Sequence, residues 1–575
     1  MSYTDNCTYE MKEFNDLPYS RPNMEELKAA FKDAEQQFSA AQSAAEQIAV
    51  IDTVQKLKAH YQTMQTLTEI RHTIDTRDAF YDAENTFFDE ASPFYAEMVN
   101  GFNKKMLASP FRAELEKELG THIFMLTELE MKVFTPEIMD DLAEENKLTS
   151  SYDKLIASAQ IEFAGEKRTL VQMQTFMEHT DRSIRKEASE AYYGFFAEHE
   201  ADFDSIYDKL VKVRTRIAQK LGYKNFVQLG YDRLNRTDYN AQMTAAYRDQ
   251  IYREIVPIAA GLVKRQAKRL GLERMQYYDE PLKYTTGNAV PHGEPDWIIA
   301  NAKKMYKELS PETDEFFTFM TSYNMLDVLA KKGKAGGGYC TTIPGYKAPF
   351  IFANFNKTQH DVVVMTHEAG HAFQAYQSRN ARLLEYVWPT YEACEIHSMS
   401  MEFFTWPWMN LFFEEQTEKF QFTHLSGALQ FLPYGVTVDE FQHWVYEHPE
   451  ASPAERKTAW RTIEKKYLPE RDYGDNDFLN RGGFWMRQGH IFSVPFYYID
   501  YTLAQVCALQ FWVKSLENRQ AAWDDYLRLC KAGGQYSFLR LVELAGLKNP
   551  FEDGCIASVT PACTQWLNKV NDAAL

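Results

Sequence analysis

The sequence predicts a mainly α protein with a small β-sheet, on three observations. Residues 23–75 are rich in Ala, Glu and Gln with apolar side chains at helical spacing, so they read as two long helices, an antiparallel hairpin near the surface. The same texture recurs at 240–271, 294–308, 361–379, 391–415, 495–518 and 522–533. Against it stands Pro349-Phe350-Ile351-Phe352-Ala353-Asn354-Phe355, a short apolar and aromatic run bounded by turn residues, which reads as a strand.

Taken in order, the hairpin comes first. Asp181 then suits the N-cap of a long helix running through Glu187, Tyr192 and Phe196 towards Leu221, with a break along it. Segments rich in Pro and Gly at 281–295, 333–349 and 466–484 interrupt the later helices. No low-complexity tract or internal repeat is visible. A nominal boundary near residue 200 separates an N-terminal helical region, 1–200, from the remainder, 201–575.

At 575 residues, with 45% hydrophobic and 25% charged side chains, the chain has ample material for a large globular core. A net charge of −19 argues against nucleic acid as a partner, because binding phosphates needs concentrated Lys and Arg. The seven cysteines, Cys7, Cys340, Cys394, Cys507, Cys530, Cys555 and Cys563, are scattered, odd in number and form no C-x-x-C pair. That favours free thiols in a reducing compartment. The first twenty residues are polar and acidic without an apolar signal core, and no run has the length of a membrane span. The expectation is a cytoplasmic protein with no membrane partner.

His367-Glu368-Ala369-Gly370-His371 is the most informative stretch. On a helix, residues four apart share one face, so both imidazoles can bind a single Zn²⁺ with Glu368 beside them as base for the metal's water. The competing reading is a solvated helix face. The apolar neighbours Val362, Val363, Val364, Met365, Ala369, Ala372 and Phe373 argue for burial instead, and buried His and Glu need a partner that a metal supplies. Zinc then requires a third protein ligand and one open position for water. A His ten residues after the first is ruled out, since Gln377 stands there. Glu385, Glu392, Glu395 and Glu402 are within reach along the chain. Glu392, Glu395 and Glu402 lie along one side of a second, largely apolar helix, and spacing does not choose between Glu392 and Glu395.

Upstream, Gly336-Gly337-Gly338-Tyr339 precedes the predicted strand. Glycines there would let a substrate backbone approach closely or let the loop move, and the strand could offer its edge to an extended peptide. Gly337, Gly338 and Tyr339 are therefore candidate substrate-binding residues. His443 and His448 lack the spacing of metal ligands, His397 points away from Glu395 on its helix and reads as a packed residue or an outer support, and His360, beside Asp361 just before the helix, reads as a capping or orienting residue. Downstream, His490 is followed by Tyr497, Tyr498 and Tyr501. Pro495 suits a first helical turn, which would place Tyr497 and Tyr498 at i−4 and i−3 from Tyr501. Phenol donors beside a His suit carbonyl and oxyanion binding.

HEAGHAFQ at 367–374 and EIHSMSME at 395–402 carry a resemblance to the thimet oligopeptidase and oligoendopeptidase F family of zinc metallopeptidases. The Gly-Gly-Gly-Tyr-Cys-Thr stretch from Gly336 to Thr341, the run from Phe350 to Glu368, and HIFSVPFYYIDY at 490–501 extend it over roughly residues 200–560. The resemblance implies that Glu395 is the third zinc ligand and that Glu402 fixes a ligand imidazole from outside. It implies that His490 and one or more of Tyr497, Tyr498 and Tyr501 face the substrate. It also implies a helical shell around a deep channel that admits short, unfolded peptides. The expected function is a zinc endopeptidase for oligopeptides. The alternatives are an exopeptidase gripping a free terminus, for which Arg379, Arg382 and Arg487 are candidate anchors, and a non-catalytic helical peptide-binding protein.

Overall fold

The computed structural model describes residues 9–575, so Cys7 and the first eight positions lie outside the described residues. The chain forms two compact units, each assembled from three stretches. One takes the chain up to Met131, Val290–Glu414 and Lys514–Leu547; the other takes Lys132–Ala289, Glu415–Val513 and Lys548–Leu575. Residue 200 opens the helix Glu200–Lys220 within the second unit.

The first unit begins with the expected hairpin, helices Met24–Ala40 and Ala44–Ile74, followed by Ala79–Leu107. Each starts at a side chain that accepts backbone N–H groups: Asn23, Ser43 and Asp78. The second helix is not a surface element. Thr63, Met64, Thr66, Leu67, Thr68 and Ile70 are all buried, which takes in most of its circumference. Tyr61 stacks on Tyr95 at 4.0 Å, and Phe38 meets Phe102 edge-on at 5.2 Å, tying the third helix to the pair.

Two sheets occur among the described residues. In the second unit, β1 (Ile161–Phe163) and β2 (Glu166–Arg168) form a small antiparallel hairpin that the sequence reading did not assign. In the first unit, β3 (Leu326–Leu329), β4 (Tyr339–Ile343) and β5 (Ala348–Phe355) form a sheet in the order β3-β5-β4, with β5 parallel to β3 and antiparallel to β4. β5 is the predicted strand, buried at every position but Asn354. It lies in the middle, so neither of its edges is open to a peptide; β4, inside the segment read as an interruption, is an edge strand. The reason is the turn at Pro344–Tyr346, which folds β4 back onto β5.

Helix limits differ from the sequence expectations where proline decides. The 240–271 stretch divides into Ala241–Glu254 and Val256–Arg269, because Pro257 has no N–H to continue the first ladder. The helix expected over 391–415 ends at Phe404, ahead of Pro407. The helix expected to start near Pro495 starts at Tyr498. Asp181 caps Arg182–Glu198 by accepting from Ser183 and Ile184, and the anticipated break falls at His199. Conversely, Ala79–Leu107 and Thr417–Glu447 run through Pro93 and Pro433.

Candidate active site

Helix Gln359–Ser378 carries His367, Glu368 and His371. It begins where the Thr358 side chain accepts from His360 N, and Asp361 accepts from the backbone N–H groups of Asn356 and Lys357. It packs on β5 and on helix Tyr391–Phe404. The second contact is close because residue 370 is glycine: a Cβ there would lie 2.7 Å from Ser398 Cα and 2.8 Å from His397 O. That approach sets Glu395 against both imidazoles. Its Oε2 stands 3.3 Å from His367 Nε2 and 3.6 Å from His371 Nε2. Glu392, the alternative left open by spacing, is buried on the same helix and outside this trio. Glu385 pairs with Lys58 instead.

Glu402 Oε1 lies 2.7 Å from His367 Nδ1. A carboxylate accepts there, so Nδ1 carries a proton, and in the neutral ring Nε2 is the nitrogen with a lone pair for a metal. Ser398 Oγ donates to Glu395 Oε2 at 3.0 Å. Burial disfavours charge on His367, but Glu395 and Glu402 outweigh it and push its pKa well up. Burial likewise acts to raise the Glu395 pKa, and the His371 and His367 imidazoles outweigh it and hold it well down.

The donors also fit a metal geometrically. Tetrahedral bonds of about 2.0–2.1 Å set neighbouring donors about 3.3–3.4 Å apart. The two N–O separations above are close to that edge, and all three donor atoms lie within 4.8 Å of one another. His367, His371 and Glu395 therefore fit one zinc ion.

Glu368 is half-buried beside β4. A Cβ on Gly338 would lie 4.0 Å from Glu368 Oε1 and 3.4 Å from Phe352 O. Gly337 takes φ +89°, and its carbonyl accepts from Asn354 Nδ2 at 2.9 Å, which anchors the glycine loop to β5. The Tyr339 ring is committed to packing: it stacks on Phe352 at 4.8 Å, and its hydroxyl lies 2.6 Å from Thr73 Oγ1. Cys340 neighbours Glu368, and burial pushes its thiol pKa up. His397 is fully buried, and burial, with His371 nearby, lowers its pKa to about 3.

In the second unit, His490 sits on the short helix Gly489–Ser493 with Tyr497, Tyr498 and Tyr501 around it, at ring separations of 5.7, 5.2 and 5.7 Å. Tyr497 precedes the helix Tyr498–Glu517, so the tyrosines gather through a break in helical geometry and not by helical spacing alone. Phe496 makes that break at φ +70°; Arg236 Nη2 donates to its carbonyl at 2.6 Å, and Gln442 Oε1 accepts from its N–H. Gln488 Nε2 lies 2.8 Å from His490 Nδ1, and Tyr434 donates to Gln488 Oε1 at 2.8 Å. An amide donor on Nδ1 leaves Nε2 of a neutral imidazole as the N–H donor. Gln488 and Tyr434 were missed by sequence reasoning, which had no signal for them. Ser398 was missed too, although its place three residues after Glu395 on one helix was a signal that could have found it. Of the three candidate terminal anchors, Arg379 and Arg382 pair with Glu315 and Asp52.

The pattern of the Peptidase M3 N-terminal domain matches residues 14–134, and that of Peptidase family M3 matches residues 305–560. A solved structure described as PZ peptidase A with inhibitor 2 is 58% identical, superposes with a TM-score of 0.92, and is matched over 98% of this chain and 100% of its own. Oligopeptidase PepF of Bacillus subtilis (strain 168) is 21% identical over 471 residues, 77% of this chain and 66% of that protein. The oligoendopeptidase F homolog of Borreliella burgdorferi is 22% identical over 455 residues, 75% of this chain and 73% of that protein. The chain belongs to the M3/oligoendopeptidase F family of peptidases. No helix among the described residues is long and apolar enough to cross a membrane.

Proposed function

We propose that this protein is a zinc-dependent endopeptidase that hydrolyses short, unfolded oligopeptides. The observation that carries the reading is the convergence of His367, His371 and Glu395 donors, with Glu368 on the same helix. Membership of a peptidase family and likeness to proteins described as oligopeptidases support it. A zinc ion bound there would polarise a peptide carbonyl and lower the pKa of water at its open position. Glu368 takes the proton from the attacking water and delivers it to the leaving nitrogen. Glu402 keeps His367 in the tautomer that faces the metal, and Ser398 steadies Glu395. The His490 cluster of the second unit offers imidazole and phenol donors of the kind an oxyanion takes. With no Cβ at Gly338, a peptide backbone can approach the strand closely beside Glu368. The six described cysteines are free thiols, which supports a reducing compartment such as the cytoplasm.

The test is mass spectrometry of products from a mixed peptide pool, with ends free or blocked, with and without chelator. Internal cuts in blocked peptides that vanish with chelator are expected. Cuts only beside free ends would favour the exopeptidase reading. Glu368→Gln should retain metal and lose about 10²–10⁴-fold in kcat. Turnover at the wild-type rate would remove Glu368 from the role of base.

A further inference from the structure

Trp388 lies in the loop that joins helix Gln359–Ser378 to helix Tyr391–Phe404, and it is half-buried. Its ring meets the His371 imidazole at 6.5 Å between centroids, inclined at 60°. Its indole Nε1 donates to Thr342 Oγ1 on β4. That bond satisfies the one polar atom of the side chain, so what remains to present is apolar ring. The loop is anchored on both sides of the ring. Gln374 Nε2 and Ser378 Oγ donate to Val387 O at 2.9 and 2.7 Å, and Gly534 N donates to Tyr386 O at 2.9 Å. A Cβ on Gly534 would collide with the Trp388 carbonyl, so only glycine lets that backbone come so near. A ring held this way is ordered before any ligand arrives, and binding against it costs little further entropy.

The groups around it share its character. Cys340 stands two residues before Thr342, so both side chains project from one face of β4. Its thiol neighbours Glu368 and feels the Cys394 thiol. Cys394 Sγ in turn lies 3.4 Å from Pro389 O, the residue after Trp388. Both thiols are free and half-buried, and a free cysteine behaves as a small hydrophobe. Along one side of the His367, His371 and Glu395 donors there is thus a partly open apolar wall. Water on such a wall is released when an apolar side chain covers it. An extended chain advances about 3.3 Å per residue, so the 6.5 Å between Trp388 and His371 corresponds to two residues.

We propose that Trp388, with Cys340, Pro389 and Cys394, forms an apolar subsite for the side chain of a peptide residue within two positions of the cut bond, and so sets a preference for Leu or Phe there. This rests on the peptidase reading above and adds a determinant of sequence choice. Every group in the subsite belongs to the same unit as His371 and Glu368.

The experiment uses end-blocked peptides with a single cleavable bond. The two positions on each side of that bond are changed in turn to Gly, Leu, Phe or Lys, and cleavage is measured with the zinc-loaded wild type and Trp388→Ala. At one of the four positions the wild type should favour Leu or Phe over Gly and Lys by about 10–100-fold in kcat/KM. Trp388→Ala should bring the Leu and Phe peptides of that position down towards the Gly peptide. Equal cleavage of Gly, Leu, Phe and Lys at all four positions by the wild type overturns the proposal and leaves the peptidase reading standing. So does an equal loss on all peptides in the variant, which would give Trp388 a purely structural role. No cleavage of any peptide by the wild type overturns both. If Trp388→Ala lacks a cooperative melt, Trp388→Gln, which keeps an N–H donor for Thr342 and removes the ring, makes the same comparison: a reduced preference for Leu and Phe supports the proposal and an unaltered one overturns it.

Discussion

At the scale of the residue, the candidate centre is a set of paired constraints. His367 is held from both sides, by Glu402 on Nδ1 and towards Glu395 on Nε2. Removing the outer carboxylate frees the ring to rotate and to change tautomer. Glu402→Gln is therefore expected to weaken zinc affinity by about 10–100-fold while leaving the fold intact, as measured by competition against a chelating dye. Unaltered affinity would show that His367 needs no such support. The grouping at this scale was largely legible, because H-E-x-x-H places two imidazoles on one helix face with a carboxylate beside them by helical geometry alone. The choice between Glu392 and Glu395 was not, because two carboxylates three residues apart share a helix face. The distance to the preceding helix, across the intervening loop, decides between them.

At the scale of the element, the decisive contact is between helices Gln359–Ser378 and Tyr391–Phe404. It depends on a residue that reads in the sequence only as filler between the histidines. Gly370→Ala would drive a methyl group against Ser398 Cα and His397 O, both backbone atoms with little freedom to yield. The expected cost is about 1–3 kcal/mol, with weakened metal binding because Glu395 is pushed away. Thermal melting and zinc titration of the variant check this together; wild-type values in both would remove the close approach from the account. Element ends show what local rules miss. Pro257 and Pro407 end or divide helices as the chemistry of proline predicts, whereas Pro433 sits inside a 31-residue helix whose flanks, from Leu429 to Tyr446, are mostly buried. Burial along the whole helix outweighs one lost ladder bond there. The edge role passed from β5 to β4 for a related reason: a strand's place in a sheet depends on which neighbours pair with it.

At the scale of the whole molecule, distant stretches are joined by buried and half-buried ion pairs. Glu200 meets Lys457 and Arg481, more than 250 positions away. The Arg481 guanidinium, against the opposing effect of burial and aided by Lys457, holds the Glu200 pKa down to about 2, from the usual 4.5. A carboxylate depressed on folding contributes stability that is fully present above its ordinary pKa and is lost as pH falls towards the folded value. Glu200→Gln should therefore lower the melting temperature above pH 4.5, and the deficit should shrink as pH falls from 4.5 towards 2. The effect should be modest, since solvent still screens the pair. A deficit independent of pH would assign the loss to packing.

The sequence by itself determined that the chain is mainly helical, which helix holds the two histidines and their glutamate, and that acidic residues follow on a second apolar helix. Those properties are local: they follow from periodicity, caps and spacing within a few turns. Only the tertiary structure decided that Glu395 stands against both imidazoles, that Glu402 backs His367, that β4 rather than β5 is an edge of its sheet, and that Arg379 and Arg382 pair with carboxylates while, among the described residues, Arg487 forms no ion pair. Each of these turns on a distance between groups remote in the chain, or on the absence of one. Such distances are set by how apolar faces close upon one another, which periodicity along a single segment does not encode.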